Sequence, residues 1–439
     1  MSKNCLNTDW NMFTLDDIGR IITGKTPPTS VQAYFNGDIP FVTPSDMDGR
    51  KVISATERYL TEAGVEAVKG AKLPKGAVMV SCIGSDMGKV ALAGKDCVTN
   101  QQLNSIIVNE DHCPHYVYYN LSSRKNELRS LAGSGSAQPI LNKGHFSQLT
   151  MCCPPLKEEE EAIARVLSAL DDKIELNRRM NETLDAMARA LFKSWFVDFD
   201  PVRAKAEGRT PYGMDAETAT LFPSTFEDSD LGEIPKGWSV STLGDIAKIS
   251  KAILSPNDFP NEEFDHFSIP AFDERKYPAL ELGEEIQSNK FVIEGNAALV
   301  SKLNPRIFRA WTVFAPRQRR SIASTEFIIY HPKQQNLWSL LNCLVRSDDI
   351  IAEFQSHATG TSGSHQRVRP EDTLSFSCVL STEKIHEIFE RTCSFYLRQI
   401  DQNIEQSQTL ASLRDLILPK LLSGELSVQD ARRKIAEVV

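Results

Sequence analysis

No apolar run in the 439 residues reaches about 18, so no membrane-crossing helix is predicted. The polar N-terminus lacks the apolar core of a signal peptide, and a cytoplasmic protein is the expectation. Nine cysteines without one CxxC pair predict reduced thiols rather than a disulfide framework. HExxH, G-x-S-x-G and a helix-opening G-x-G-x-x-G are all missing, which excludes the common zinc-hydrolase, nucleophile-elbow and dinucleotide sites. No catalytic residue and no metal ligand are therefore expected.

Three near-motifs fall to their context. Gly19-Arg20-Ile21-Ile22-Thr23-Gly24-Lys25-Thr26 matches G-x-x-x-x-G-K-[ST] letter for letter. A phosphate loop must open a helix whose N–H groups face the phosphate, and here Pro27 and Pro28 follow at once. Cys153-Pro154-Pro155-Leu156 is similar to the Pro-Pro aromatic tetrapeptide of amino-methyltransferases, but it lacks the leading Asn or Asp that would accept the amine's protons. It reads as the start of a helix. His112-Cys113-Pro114-His115 imitates a metal site yet has no second ligand group in the sequence, and reads as a loop.

The net charge of −9 is unevenly spread. Residues 1–150 carry +1, 151–200 carry −4 and 201–235 carry −4, while 236–380 and 381–439 carry −1 each. The acid thus concentrates between residues 151 and 235, and local patches decide more than the sum. Total charge neither demands nor forbids a nucleic-acid partner.

What the sequence does have is one long uninterrupted stretch. From Pro154 to Phe196 there are two prolines, four consecutive glutamates and then some ten turns without Gly or Pro. Acid in the first turn suits the positive helix end. Ile163, Leu167, Leu170, Ile174, Asn177, Asn181, Leu184, Ala188, Leu191 and Trp195 follow the alternating 4,3 spacing of a coiled-coil seam. Such a helix would be roughly 60 Å long and must lie against a partner. The chain supplies one: adding 226 gives Phe389, Cys393, Tyr396, Ile400, Asn403, Ser407, Leu410, Arg414, Ile417 and Leu421. Asn177 falls on Asn403, and an antiparallel pair is predicted.

The flanking blocks repeat as well, at an offset of 228. Trp10 matches Trp238, Thr14-Leu15 matches Thr242-Leu243, Asp17-Ile18 matches Asp245-Ile246, Gly135-Ser136 matches Gly363-Ser364 and Gln138 matches Gln366. With a two-residue insertion Ile39-Pro40 matches Ile269-Pro270. Between these anchors the blocks differ almost completely. Strands are predicted at 38–43 and 105–108, a turn followed by a buried strand over 73–81, and a helix over 115–131; Gly133 to Pro139 reads as a flexible polar loop.

Candidate ligand contacts follow from residue type. Between Glu294 and Glu326 there is no acid, while Lys302, Asn304, Arg306, Arg309, Arg317, Arg319 and Arg320 are interleaved with Phe308, Trp311 and Phe314. Arg and Lys neutralise phosphates, and Arg and Asn match guanine and adenine edges. Arg306 and Arg309 straddle Phe308, and Arg317, Arg319 and Arg320 read as a phosphate-gripping loop. In the first block Lys25, Thr26, Ser45, Ser81 and Lys89 accompany the carboxamide run Asn100-Gln101-Gln102. Ser136 and Gln138, with Ser364, His365, Gln366, Arg367 and Arg369, occupy equivalent loops before the two long helices.

The chain resembles the specificity (S) subunits of type I restriction-modification enzymes. Trp10, Leu15 and Ile18, their copy in Gly237-Trp238 and Leu243-Gly244-Asp245-Ile246, 38–43, Leu73-Pro74-Lys75-Gly76, 195–201 and Leu418-Pro419-Lys420-Leu421-Leu422-Ser423-Gly424 carry the resemblance, which spans essentially the whole chain. It implies an α+β fold, a tandem pseudo-twofold repeat of two globular α/β target recognition domains separated by two long antiparallel coiled-coil helices. The expected division is recognition domain 1 at 1–153, a central helix at 154–197, a linker at 198–235, recognition domain 2 at 236–380, and a second helix and tail at 381–439. It further implies a non-catalytic subunit that reads a bipartite asymmetric site in double-stranded DNA and docks two methyltransferase subunits, with motor-nuclease subunits joining. S-adenosylmethionine, ATP and Mg would belong to those partners. The alternatives are the recognition part of a type II methyltransferase or nuclease, for which no cofactor domain remains, and a coiled-coil adaptor unrelated to DNA.

Overall fold

Two short helices with the same cap begin the two repeats. Thr14 caps Leu15–Ile18: its hydroxyl accepts the Asp17 N–H at 3.2 Å, and the Asp17 carboxylate accepts the Thr14 N–H at 2.8 Å. Thr242 and Asp245 build the same capping box before Leu243–Ile246. Two of a helix's orphan donors are satisfied reciprocally in this way. Trp10 and Trp238 are both buried. In each repeat the capped segment pairs antiparallel with the strand that precedes a long helix: Asn11–Thr14 with Thr150–Cys153, and Ser239–Thr242 with Ser377–Leu380.

The structure is a computed structural model that describes residues 7, 9–131, 140–315, 317–360 and 366–437, with the backbone alone at residue 275. The chain divides into two compact units, Met1–Leu176 with Gln406–Val439, and Asn177–Glu405.

Besides its two-stranded pairs, each unit carries two larger sheets of matching order. In the first unit one sheet runs Gly19–Thr23, Leu103–Val108, Val78–Ser81, Val90–Ala93, Val52–Ile53. Its counterpart in the second runs Ala247–Ile249, Phe327–Pro332, Ala297–Ser301, Ala310–Val313. The other sheet centres on a parallel pair, Phe35–Val42 beside Cys97–Thr99 in the first unit and Glu263–Phe267 beside Arg320–Ala323 in the second. Val78–Ser81 and Ala297–Ser301 are buried at every residue, as strands covered on both faces must be. Unlike sequences thus build like topology, because a buried strand requires only apolar bulk of suitable shape.

The long helices span Lys157–Phe196 and Glu383–Leu422, 40 residues each. Each contributes one half to each unit. In the first unit Ile163, Leu167 and Leu170 share a core with Leu410, Leu413, Ile417 and Leu421, and Arg414 pairs with Asp171 at 2.7 Å. In the second, the Asn177 side chain donates to the Asn403 carbonyl at 3.3 Å, and Asn403 donates to Asn181 Oδ1 at 2.8 Å. Phe192 and Trp195 there pack on Phe389. Numbers rise along one helix as they fall along the other, so the pair is antiparallel. Ile174, Leu184, Leu191, Tyr396 and Ile400 are half-buried, while Phe192, Leu397 and Leu413, outside the 4,3 register, are buried. Each half-helix also faces a globular core, so its apolar surface is wider than a two-helix seam.

Three expectations need correction. Residues 115–131 form two helices, Pro114–Ser122 and Lys125–Leu131, because Ser122 and Ser123 turn their hydroxyls onto the carbonyls of Tyr118 and Asn120 and end the first. Ile39-Pro40 is not the counterpart of Ile269-Pro270: the former lies inside strand Phe35–Val42, the latter opens helix Ile269–Arg275. Among the described residues seven cysteines are free and buried, but Cys152 is disulfide-bonded. The loop expected over 133–139 lies outside the described residues. The tail forms a further helix, Val428–Ala436, capped by Ser427.

Candidate nucleic-acid interface

In the first unit four loops are stitched together beyond the parallel pair. Asn100 N–H bonds the Val42 carbonyl at 3.0 Å, so the turn after Cys97–Thr99 sits beside the one after Phe35–Val42. Gly24 and Lys25 bond Leu103 and Thr99 through their backbone N–H groups at 3.0 and 2.8 Å. A Cβ on Gly24 would lie 2.0 Å from the Asn100 carbonyl oxygen, which restricts that position to glycine. Lys89 donates to the Pro44 carbonyl at 3.2 Å and pairs with Asp86 at 2.8 Å, tying the 82–89 hairpin to the Pro44–Asp46 turn.

These bonds sort the candidates. Lys25, Ser45 and Gln101 are exposed. Thr26 donates its hydroxyl to Gln101 Oε1 at 2.7 Å, and Ser45 shares a hydrogen bond with Thr43. The carboxamides of Asn100 and Gln102 are spent locally: Asn100 Nδ2 donates to Gln102 Oε1 at 2.9 Å, and Gln102 N–H donates to Asn100 Oδ1 at 3.1 Å. Asn100 is therefore a turn-former, and of the run Gln101 alone is exposed. Ser81 is a correction. It is fully buried within a central strand and cannot reach a ligand. The phosphate-loop match is likewise a strand, Gly19–Thr23, with no helix opened by Thr26.

In the second unit Lys302, Asn304, Gln366 and Arg367 are brought together. Val368 N–H bonds the Lys302 carbonyl at 3.0 Å, Asn304 N–H bonds the Gln366 carbonyl at 2.8 Å, and Leu303 bridges Arg367. Asn304 holds φ at +49°, a left-handed turn that asparagine tolerates. Arg367 grips Glu326 with two bonds of 3.0 Å. Ser136, Gln138, Ser364 and His365 lie outside the described residues.

The arginine stretch is where space corrects sequence most. Acid-free along the chain, it is acid-rich around the fold. Arg309 holds Asp273 through bonds of 2.7 and 2.8 Å. Arg319 meets Glu263 at 3.1 Å, and Arg320 meets Glu262 at 3.2 Å while lying 4.6 Å over the Phe259 ring. Arg317 has only 6% of its side chain exposed and contacts Asp265, Asp401 and Glu405 at 3.0, 3.2 and 2.9 Å. Burial raises the Asp401 and Glu405 carboxyls, opposed by the Arg317 charge. Arg317 anchors the fold, and with Arg319 and Arg320 it does not form a phosphate-gripping loop. Arg306 and Arg369 are exposed, and among the described residues no acid pairs with them.

Among the described residues these loops present exposed donors carried by sheets, which suits recognition. Comparison with known proteins agrees. Residues 7–186 match the family described as type I restriction modification DNA specificity domain. The specificity subunit of the type I restriction enzyme MjaIX from Methanocaldococcus jannaschii is 28% identical over 442 residues, covering 96% of this chain and 94% of that one. The HindI specificity subunit from Haemophilus influenzae is 25% identical, covering 95% and 100%. In fold, the crystal structure of the type I S subunit from M. genitalium superposes with a TM-score of 0.56 at 15% identity, over 96% of this chain and 97% of that one. Residues 7–186 thus carry a type I restriction modification DNA specificity domain, and over nearly its full length, with two α/β domains and a packed pair of long helices, the chain is similar to the specificity subunits of type I restriction enzymes.

Proposed function

We propose that recognition domains at 1–153 and 236–380 each read one half of a bipartite, asymmetric site in double-stranded DNA. The observation that supports this reading is like topology with unlike loops. The turn that leaves the inner parallel strand is Asn100-Gln101-Gln102 in one unit and Ser324-Thr325-Glu326 in the other. Two scaffolds of one design bearing different hydrogen-bonding groups suit two different half-sites, since side chains at base edges carry sequence information. The long helices set the spacing of the domains and dock two methyltransferase subunits, and motor-nuclease subunits complete the assembly in the cytoplasm. S-adenosylmethionine, ATP and Mg act in those partners, and this chain holds none of them.

Gel shifts with methyltransferase partners, on sites altered in one half at a time, test the reading. Exchanging residues 1–153 for the equivalent segment of a relative should change the first half-site alone. A change in both halves, or in neither, sinks it. Matched four-residue insertions beside Asn177 and Asn403 lengthen the helices by about 6 Å. At about 3.4 Å per base pair the preferred spacer should grow by roughly one or two base pairs.

A further inference from the structure

His112-Cys113-Pro114-His115 has no second ligand group in the sequence, but the fold provides one. His112 lies just before helix Pro114–Ser122, Cys153 ends strand Thr150–Cys153, and Glu160 sits in the first turn of helix Lys157–Phe196. Ligand atoms of His112, Cys153 and Glu160 all lie within 4.8 Å of one another, and all three residues are buried. His112 Nδ1 is 2.7 Å from Glu160 Oε1, and the Cys113 N–H donates to Glu160 Oε2 at 2.7 Å, which fixes the carboxylate. His115 and Cys113 contribute no side chain to the cluster.

We propose that His112, Cys153 and Glu160 bind a zinc ion. Imidazole nitrogen, thiolate sulfur and carboxylate oxygen are the donor types of zinc, and softer or purely oxygen-seeking ions fit this mixture less well. On binding, the Cys153 thiol loses its proton to solvent and its sulfur takes the metal. The imidazole stays neutral with its proton on Nε2, so that Nδ1 offers its lone pair. Glu160 turns Oε1 to the metal and keeps Oε2 on the Cys113 N–H. Tetrahedral coordination at about 2.0 Å from nitrogen and oxygen requires the Nδ1–Oε1 separation to open to roughly 3.3 Å. The fourth ligand has a source: a cavity of about 540 Å³, lined in part by Asn11, Asp111, Lys157 and the cluster's own His112 and Glu160, adjoins the site and admits water. Burial, then the Glu160 charge, pushes the Cys153 thiol well above the ordinary range, and a divalent cation between thiolate and carboxylate removes that penalty. The ion would tie the loop and strand end of the first domain to the start of the long helix. The second repeat lacks this cluster, since the position 226 residues after Glu160 is His386.

The test uses the full chain, reduced and stripped of metal, titrated with Co²⁺ and Zn²⁺. One equivalent of Co²⁺ should bind with a thiolate-to-cobalt charge-transfer band in the near ultraviolet. Cys153→Ser should abolish the band and weaken binding at least tenfold, and His112→Gln should weaken it comparably. Cys343→Ser should leave the band intact; it controls for the Cys343–Cys393 thiol pair, whose sulfurs lie 3.7 Å apart. Failure of the parent chain to bind one equivalent, or a band that survives Cys153→Ser, overturns the proposal. Should Cys153→Ser lose its circular-dichroism signature, X-ray absorption of the zinc-loaded parent decides: one sulfur per zinc supports the site, and none or two refute it.

Discussion

The two units solve one architectural problem with different electrostatics. In the first, the presented loops are held mainly by neutral hydrogen bonds, Thr26 to Gln101 and Asn100 to Gln102, with one ion pair, Lys89 with Asp86. In the second, they are held by ion pairs, Arg367 with Glu326 and Arg309 with Asp273, and the same unit buries Arg317 among carboxylates. The difference teaches that a basic stretch in a sequence announces partners without saying whether they are phosphates or the protein's own carboxylates. It also makes the units unequal in their response to mutation, pH and salt.

The sharpest way to break the comparison is Arg317→Ala. Removing the cation leaves Asp265 buried and Asp401 half-buried without their partner, and loss of one member of a buried pair costs about 3–5 kcal/mol. Calorimetry should show the unfolding of 177–405 shift downward, whereas Arg319→Ala, at an exposed pair, costs under about 1 kcal/mol. Equal effects from the two variants would mean that the Arg317 cluster is not an anchor.

Next in size is Gly24→Ala. Its methyl group must push the Asn100 turn aside, at a cost of about 1–3 kcal/mol typical of overpacking. Discrimination at the first half-site should fall in the gel shift and that at the second should persist.

A smaller contrast comes from the buried histidines. Burial holds His386 down to about 4 from 6.5, and among the described residues its Nε2 has no hydrogen-bond partner. The unfolded chain therefore takes up this proton first as pH falls. Stability associated with His386 is present above pH 6.5, is lost between about 6.5 and 4, and is not lost further below. His386→Phe should flatten that part of the pH–stability curve for the second unit. A curve unchanged by the substitution would refute the assignment.

The smallest effect on folding is expected at Arg306. Arg306→Ala should change stability by less than about 0.5 kcal/mol. If Arg306 forks onto guanine, binding weakens by about 1–3 kcal/mol only where that base is present. If it neutralises a phosphate, binding weakens on all sequences and the salt slope falls by about one. Unaltered binding at two salt concentrations would remove Arg306 from the interface.

Sequence by itself determined the periodic features. The long helices follow from an apolar spacing that only a helix can gather on one face, and the repeat follows from Trp10/Trp238 and the Thr-x-x-Asp caps, whose chemistry acts over three residues. Local rules see such patterns because their causes are local. Tertiary structure alone decided which polar groups remain available to a ligand. Ser81 looked like a donor until strand pairing buried it, and the acids that claim Arg317 lie 52 to 88 residues away along the chain. Likewise Cys153 and Glu160 reach His112 only because the strand end and the long helix return to that loop. Coulomb attraction and burial depend on distance in space, and chain separation carries no measure of that distance until the fold has closed.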